Sequence, residues 1–249
     1  MLRTLTIKRV LVSIVLSLLC LLLITSCALP TLPWKQGKGG KAGSRPTTQQ
    51  LLTALQKNFA AVKSFHVVMQ VQNAGPAAPG QVQISSASGD VVMPDKVKAQ
   101  ATVVLSGQSV AVNLISVGDQ QFITDPITGQ WRVIKGVLDP RTLTNPQTGI
   151  ISLIGKVQNV SQPVADSVNG TACWRVKGQL DAKHLAFLTG GGAPAGTMLQ
   201  TSACLGRTNA LPYQVSIVGP AAPGDTAQTS RIFTLSRYNQ NVQISAPQV

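Results

Sequence analysis

The sequence predicts an α+β domain: a strongly curved antiparallel sheet of about ten or eleven strands with about three helices, which are too short to cover all of its apolar face. Runs of alternating apolar and polar residues recur about every ten residues, with Gly, Pro and Asp clusters between them. Helical periodicity is confined to three stretches. All 8 acidic residues are Asp, and the absence of Glu suits a strand-rich chain because Glu is depleted in strands.

The first element is an amphipathic helix predicted over residues 47–64. Leu51, Leu55 and Phe59 recur at a helical spacing and share one face. Pro46 precedes the helix, so Thr47 or Thr48 can provide its N-cap.

Six strands follow, joined by tight turns. In FHVVMQVQ, Phe65 and Val67 face one side while His66 and Gln70 face the other. The same alternation predicts strands over 65–72, 81–88, 96–105, 109–117, 120–124 and 130–134. The segments AGPAAPG, MPD, SGQ, GDQ and DPITG separate these runs and carry turn residues. This pattern predicts an antiparallel meander.

The second half repeats the plan after another helical stretch. A second helix is predicted over 139–156, and a short third helix over 181–188 with Asp181 as its N-cap. Asn169-Gly170 predicts a two-residue hairpin turn. Extended segments are predicted over 159–168, 171–180, 198–206, 211–219, 230–238 and 241–245.

Residues 1–26 have the features of a lipoprotein signal peptide. Three basic residues precede an apolar run over 10–24, which has the length of a signal-peptide core and is shorter than the ~20 residues of a spanning helix. Ile24-Thr25-Ser26-Cys27 resembles the bacterial lipobox, in which the cysteine thiol receives a diacylglycerol and the chain is cut before it. The resemblance implies lipidation of Cys27. The charge cluster before the run places the rest of the chain outside the cytoplasm. A plain signal anchor with an incidental cysteine is the alternative.

Residues 27–46 are predicted to form a tether, and residues 47–249 a single domain. The segment KQGKGGKAGSRP is rich in Gly and Lys and lacks apolar periodicity, as a flexible spacer does. The net charge of +13 falls to +6 without the basic residues of the leader and tether. That remainder is spread along the chain and is not clustered with aromatic residues, so nucleic acid is not an expected partner.

Cys173 and Cys204 are predicted to form a disulfide. Cys20 leaves with the leader and Cys27 is the acylation site, so one pair of cysteines remains in a compartment that permits oxidation. Directly opposed cysteines in a non-hydrogen-bonded antiparallel pair have the right separation for a bridge. Two free thiols are the alternative.

Enzyme chemistry finds little support in the sequence, which predicts no enzyme, no metal site and no cofactor. The chain has 2 His and none of the HExxH, GxSxG or Walker patterns. Most Asp residues fall at predicted turns, where Asp is usually structural. A His/Asp/Ser site assembled in space stays open as an alternative.

The apolar faces of the early strands offer little side-chain bulk. Aromatic residues make up 4% of the chain, and small residues such as Ala99 and Ala101 alternate along the same face as Val. An apolar void holds water poorly, so acyl chains are its natural occupant. We predict a cavity lined by Leu55, Phe59, Phe65, Val67, Met69, Val71, Val97, Ala99, Ala101, Val103, Val110, Val112, Leu114, Ile150, Leu153 and Ile154. For each of these residues taken singly, a packed core is the alternative.

A succession of segments completes the sequence evidence: a helix running into FHVVMQV, then VGDQQFITDPITGQW, DPRTL before GIISLIGKVQNV, VNGTACWRVKGQLDAKHL and LPYQVSIVGP…RIFTLSRYNQNVQISAP. This order resembles the mycobacterial-type LppX/LprAFG lipoproteins over nearly all of residues 45–249. The resemblance implies a half-open barrel around a large apolar cavity, similar to the LolA and LolB carriers, and carriage of acylated lipids or glycolipids between membrane and envelope. Many members have a Trp before the LP turn, where this chain has SACLGRTNALP, and a Cys204–Cys173 bridge would replace that aromatic packing.

The leading prediction is therefore a monomeric, extracytoplasmic lipoprotein, anchored to the cell membrane by palmitate-type acyl chains, that binds an acylated lipid or glycolipid. A membrane transporter is a further candidate partner. The helix over 47–64 and the loop over 190–196 are expected to flex to admit the ligand. The alternative is a surface lipoprotein with a packed core that acts as a protein-interaction or regulatory module.

Overall fold

Eleven antiparallel strands of the described residues form one sheet, with a helix packed on its face. The computed structural model describes residues 45–76, 82–105, 107–135, 152–153, 155–189 and 192–249. The strands are β1 (Ser64–Gln72), β2 (Gln83–Val92), β3 (Lys96–Leu105), β4 (Gln108–Val117), β5 (Gln120–Thr124), β6 (Trp131–Ile134), β7 (Val164–Val168), β8 (Thr171–Asp181), β9 (Met198–Gly206), β10 (Pro212–Val218) and β11 (Ser230–Ser236). Helix α1 spans Thr48–Phe59, and a 3₁₀ turn at Ala182–Leu185 leads into the single turn α2, Ala186–Thr189.

The sheet consists of two meanders joined along β1. The strand order is β6-β5-β4-β3-β2-β1-β11-β10-β9-β8-β7, so β1 pairs with the last strand as well as with its neighbour in sequence. On the β11 side the register runs from His66 opposite Ser236 to Gln72 opposite Ser230. Strands β6 and β7 lie at the two edges, which leaves the sheet open.

Helix α1 begins at a capping box that its sequence dictates. The Thr47 hydroxyl accepts the Gln50 backbone N–H at 3.2 Å, and the Gln50 side chain accepts the Thr47 backbone N–H at 2.9 Å. These reciprocal bonds satisfy two backbone donors that the first turn leaves free. Of the two N-cap candidates, Thr47 and Thr48, the structure uses Thr47.

The predicted helix length was wrong at its C-terminal end, because α1 ends at Phe59 and not at residue 64. The next residues are held by the sheet: the Lys63 N–H donates to the side-chain oxygen of Asn239 at 2.8 Å, and its carbonyl accepts from Met93 at 2.8 Å. Helical hydrogen bonding could not continue through Lys63 while it makes these contacts.

The expectation of about three helices is also not supported. Within the described residues, α1 is the only helix longer than one turn, and the segment over 181–188 forms the short 3₁₀ and α turns already given. A run of this length is marginal as a helix because nucleation fixes several residues for one hydrogen bond. Most of the segment over 139–156 lies outside the described residues.

Turn residues set some strand bounds correctly and others not: β2 ends at Val92 and not at residue 88, and β7 begins at Val164 and not at residue 159. Strands β3, β5 and β9 begin and end where predicted. Asn169 and Gly170 have φ of 48° and 79° and join β7 to β8, which confirms the predicted hairpin turn. Positive φ at both central residues is what a type I′ turn requires.

The predicted strand over 241–245 is wrong: this segment pairs with no strand of the sheet. Ile244 is buried and contacts Ile115 and Phe122, with Val242 beside them. These side chains lie on the outer face of the sheet, defined as the face opposite α1. An extended segment that covers a sheet shows the same alternation of apolar and polar residues as a strand, because every second side chain points towards the sheet.

Residues 45–249 form one compact unit. In the part of the chain that the structure describes, no helix has the length and apolarity needed to cross a membrane. The segments predicted as the leader (1–26) and the tether (27–46) lie outside the described residues, apart from the tether's last two positions.

Candidate functional site

The inner face of the sheet, defined as the face on which α1 packs, is apolar across most of its width. Cross-strand register aligns its side chains in rows. One row runs through Val67, Gly89, Ala99, Leu114 and Ile123. The next row runs through Met69, Ala87, Ala101 and Val112, and continues on the other side of β1 through Phe233, Val215, Ala203 and Val176.

One part of this face is closed by α1. We call it the helix-packed core, consisting of Leu51, Leu55, Phe59, Phe65, Val91 and Val97. Leu55 is 2% exposed and Val97 4% exposed. The Phe59 and Phe65 rings are tilted against each other with centroids 5.8 Å apart, a favourable aromatic geometry. The apolar face of α1 therefore covers this part of the sheet with its own side chains.

A second cluster closes the far ends of β8, β9 and β10. Leu180, Leu185, Leu199 and Ile217 are buried there, because the turns over 182–189 fold back onto the strands. Leu153 packs against this cluster.

On β1, β3 and β4, beyond the helix-packed core, part of the inner face stays accessible. We call it the open patch: the half-buried Met69, Val71, Ala101, Val103, Val110 and Leu114. It continues to the strand ends through Ile84, Leu105 and Val82, which are 43%, 44% and 59% exposed. Large apolar side chains with this exposure, contiguous with an accessible apolar face, are typical of a binding surface.

The row of residues between the helix-packed core and the open patch includes small groups. Gly89 and Ala99 contribute little volume to the row between Val67 and Leu114. A Cβ at Gly89 would come within 2.6 Å of the Ala99 Cβ, so the strands allow no larger residue there without a shift. Little side-chain bulk is present here to fill the space above the sheet.

A buried ion pair ends the apolar face beside Val71. Arg231 lies directly opposite Val71, and its guanidinium binds Asp225 through two contacts of 2.7 and 2.9 Å. The Asp225 side chain is 0% exposed, and it also accepts the backbone N–H groups of Ala221 and Ala222. A buried carboxylate with this many donors is fully satisfied, so the pair presents no unpaired charge to the apolar face.

The predicted lining residues fall into three groups. Leu55, Phe59, Phe65 and Val97 belong to the helix-packed core, with Val67 and Ala99 packed against it. Met69, Val71, Ala101, Val103, Val110 and Leu114 form the open patch, next to the buried Val112. Ile150 and Ile154 lie outside the described residues, as does Cys27, the predicted acylation site.

Sequence reasoning missed the contribution of the second meander to the inner face. Phe233, Val215, Ala203 and Val176 continue the row of Met69, and Trp174 packs against the helix-packed core. Their strands show the same alternation of apolar and polar residues as β1 to β4, so the sequence did indicate that each of these strands has an apolar face. Only the β1–β11 pairing brings the two meanders onto one face.

The disulfide between Cys173 and Cys204 is present, as predicted, with Cα atoms 5.5 Å apart. The two cysteines are not directly opposed, because Cys173 pairs with Gly206 and Cys204 with Arg175. The bridge is therefore diagonal between β8 and β9. Both cysteines are 0% exposed and pack with Val168 on the outer face, away from the open patch.

The polar side chains of Asp125 and Tyr238, away from the open patch, form hydrogen bonds that stabilise turns and chain contacts. Asp125 accepts the N–H groups of Ile127 and Thr128 in its turn, and these bonds hold the pKa of its carboxyl below the ordinary value. Burial raises the pKa of the Tyr238 hydroxyl, which donates to the Pro212 carbonyl. Among the described residues, no group of three His, Cys, Asp or Glu side chains could hold a metal ion.

A groove beside α1 is too small to be the main site. It has a volume of about 170 Å³ and is lined by Leu51, Asn58, Trp174 and Asn209, among others. Ligand pockets usually have about 300–1,000 Å³. Arg207 stacks over the Trp174 ring at 4.7 Å from its centroid and closes one side of this groove.

An open antiparallel sheet with a helix on one part of its apolar face and an accessible apolar patch beside it defines the class of half-barrel proteins. The chain belongs to the LppX_LprAFG lipoprotein family, whose profile matches residues 47–244. Among curated proteins, no sequence matches the chain significantly.

Two solved structures show the same fold. LprF from Mycobacterium bovis is 21% identical with a TM-score of 0.61, and the match covers 80% of this chain and 96% of LprF. The lipoprotein LppX from Mycobacterium tuberculosis is 18% identical with a TM-score of 0.57, and the match covers 80% of this chain and 100% of LppX.

Proposed function

We propose that this protein binds acylated lipids or glycolipids on the inner face of its sheet and carries them between membrane and envelope. The observation that supports this most is the open patch, an accessible apolar surface continuous with exposed apolar strand ends. Membership of a lipoprotein family agrees with a ligand of this chemistry.

Affinity would come from burial of methylene groups against the open patch. Each buried methylene contributes about 0.8 kcal/mol, so eight methylenes would contribute on the order of 6 kcal/mol before the entropy of association is subtracted. Apolar burial has no direction. Specificity for the chain would therefore be weak, and the head group would stay at the exposed strand ends near Ile84 and Leu105.

A fluorescent fatty-acyl probe tests this proposal with a matched pair of variants. Ala101 lies in the open patch, whereas Ala111 is exposed on the outer face of the adjoining strand β4. Ala101→Trp should fill the patch and weaken probe binding at least tenfold, and Ala111→Trp should leave it unchanged. Equal affinities for both variants, at unchanged melting temperature, would refute the assignment of the site.

Anchoring through Cys27 is part of the same proposal. Two or three acyl chains hold a protein on a membrane where a single chain binds only marginally. Cys27→Ala should abolish the incorporation of a palmitate analogue that the wild type shows. A wild-type chain that incorporates no palmitate analogue would favour a plain signal anchor.

A protein-interaction module is the second candidate, and the sheet edges favour it. Val133 on β6 and Val164 on β7 are 56% and 57% exposed, and both are on edge strands that could pair with another chain. Loss of partner capture in Val133→Asp or Val164→Asp, with acyl probe binding absent from the wild type, would favour this function.

A further inference from the structure

Three side chains on the outer face of the sheet form a hydrogen-bonded chain. His66 Nδ1 lies 2.7 Å from Asp90 Oδ1, and His66 Nε2 lies 3.2 Å from Ser88 Oγ. The register explains the geometry, because His66 on β1 lies directly opposite Asp90 on β2, and Ser88 is two residues along the same strand and on the same face. One imidazole therefore bridges a carboxylate and a serine hydroxyl through its two ring nitrogens.

This order of groups is the one that activates serine as a nucleophile. A carboxylate that accepts the Nδ1–H fixes the tautomer in which Nε2 carries the lone pair. That lone pair can take the proton of Ser88, and both distances lie within the ~2.6–3.2 Å that such a relay needs. Arg237 Nη2 donates to the same Asp90 oxygen at 3.1 Å and holds the carboxylate in place.

Ser88 is open to solutes. Its side chain is exposed, while the His66 and Asp90 side chains are 17% and 29% exposed, so the base and its partner are more sheltered than the nucleophile. Gln100 lies directly opposite Ser88 on β3, and Lys98 opposite Asp90. The register therefore places an amide and an ammonium side chain on the same face of the sheet as Ser88.

We propose that Ser88, activated by His66 and Asp90, accepts the acyl group of activated esters. Ser88 Oγ bonds to the ester carbonyl carbon while Nε2 takes the hydroxyl proton. The bond from that carbon to the alcohol oxygen then breaks, and Nε2 returns the proton to the leaving oxygen. Water then bonds to the acyl carbon while Nε2 takes a proton from it, the bond from that carbon to Ser88 Oγ breaks, and Nε2 returns the proton to Oγ, which releases the carboxylic acid. This site lies on the face opposite the open patch and is independent of the proposed lipid site.

A fluorophosphonate probe and p-nitrophenyl acetate test the proposal on the purified full-length chain in detergent. We expect one phosphonyl adduct, located on Ser88 by peptide mapping, and release of p-nitrophenol. Ser88→Ala should abolish both, and Asp90→Asn and His66→Gln should lower both rates at least tenfold. Ser86 is the matched control, since it lies on the same strand and face, and Ser86→Ala should react like the wild type.

A purely structural role would not reproduce this pattern. Asp90→Asn keeps a hydrogen-bond acceptor, so it should fold as the wild type and still lose reactivity. An adduct distributed equally over Ser86 and Ser88, no adduct, or a rate unaffected by Asp90→Asn would each overturn the proposal.

Discussion

The helix-packed core and the open patch are built on the same strands but are covered differently. In the helix-packed core, Phe65 and Val97 are buried because Leu55 and Phe59 of α1 fill the space above them. A few residues along the same strands, Met69 and Ala101 are half-buried. The sheet alone does not decide whether its apolar face is core or surface. The length of α1 decides it, because α1 ends at Phe59 and covers only part of the face.

This difference separates stability from binding. Apolar residues under α1 contribute most to folding, since their burial is nearly complete. Apolar residues of the open patch contribute less to folding and leave surface for a ligand. The predictions below test this division of roles.

Leu55→Ala should have the largest effect on stability. Leu55 is 2% exposed, and such a truncation costs about 3–4 kcal/mol of unfolding free energy through lost burial and a cavity. Leu114→Ala in the half-buried open patch should cost about 1 kcal/mol, since much less burial is lost. Urea denaturation of both variants measures the difference. Similar losses would show that the open patch is packed as tightly as the core.

Replacing both Cys173 and Cys204 by Ala should cost about 3 kcal/mol, because the bridge closes a loop with a sequence separation of 31 residues. Acyl probe affinity should not change, since the bridge lies on the outer face with Val168. The wild type under reducing conditions is the control for stability. A variant that loses probe affinity while still folded would place the bridge in the binding site.

Ile84→Asp with Leu105→Asp should slow the transfer of a fluorescent acyl lipid from vesicles several-fold. The two side chains continue the open patch to the strand ends, and charges there oppose entry of a hydrocarbon chain. Val133→Asp, on the edge strand β6 and similarly exposed, is the matched control. Transfer slowed equally by all of these changes would indicate a general effect of charge.

Acid should remove a small contribution from the Asp166–Arg175 pair. The hydrogen bond from Arg175 lowers the pKa of the Asp166 carboxyl below its ordinary value of 3.8. A carboxyl with a lowered pKa stabilises the fold above that ordinary value and loses the effect as pH falls below it towards the folded-state pKa. Stability curves of the wild type and Asp166→Asn should therefore converge in this acidic range. Curves that stay parallel would exclude the pair as a source of stability.

Local pattern predicted most of the fold. Strands β3, β5 and β9 and the Asn169-Gly170 turn follow from alternation and turn residues, both of which act over a few positions. The end of α1 did not follow, because Lys63 is held by Asn239 from the far end of the chain. The alternation around Ile244 likewise fits a covering segment as well as a strand.

The candidate site was predicted in part for the same reason. The apolar faces of β1, β3 and β4 were readable from the sequence, but which of their residues α1 covers was not. Phe233 and Val215 were missed because their place beside Met69 depends on the β1–β11 pairing. The cysteine pair was predicted, whereas its diagonal register depends on how β8 and β9 align.

Native mass spectrometry of the purified chain tests the central claim most directly. After incubation with a diacyl phospholipid, the wild type and Ala111→Trp should each carry one lipid, and Ala101→Trp should carry none. Binding to all three proteins alike, or to none, would contradict a lipid site on the open patch.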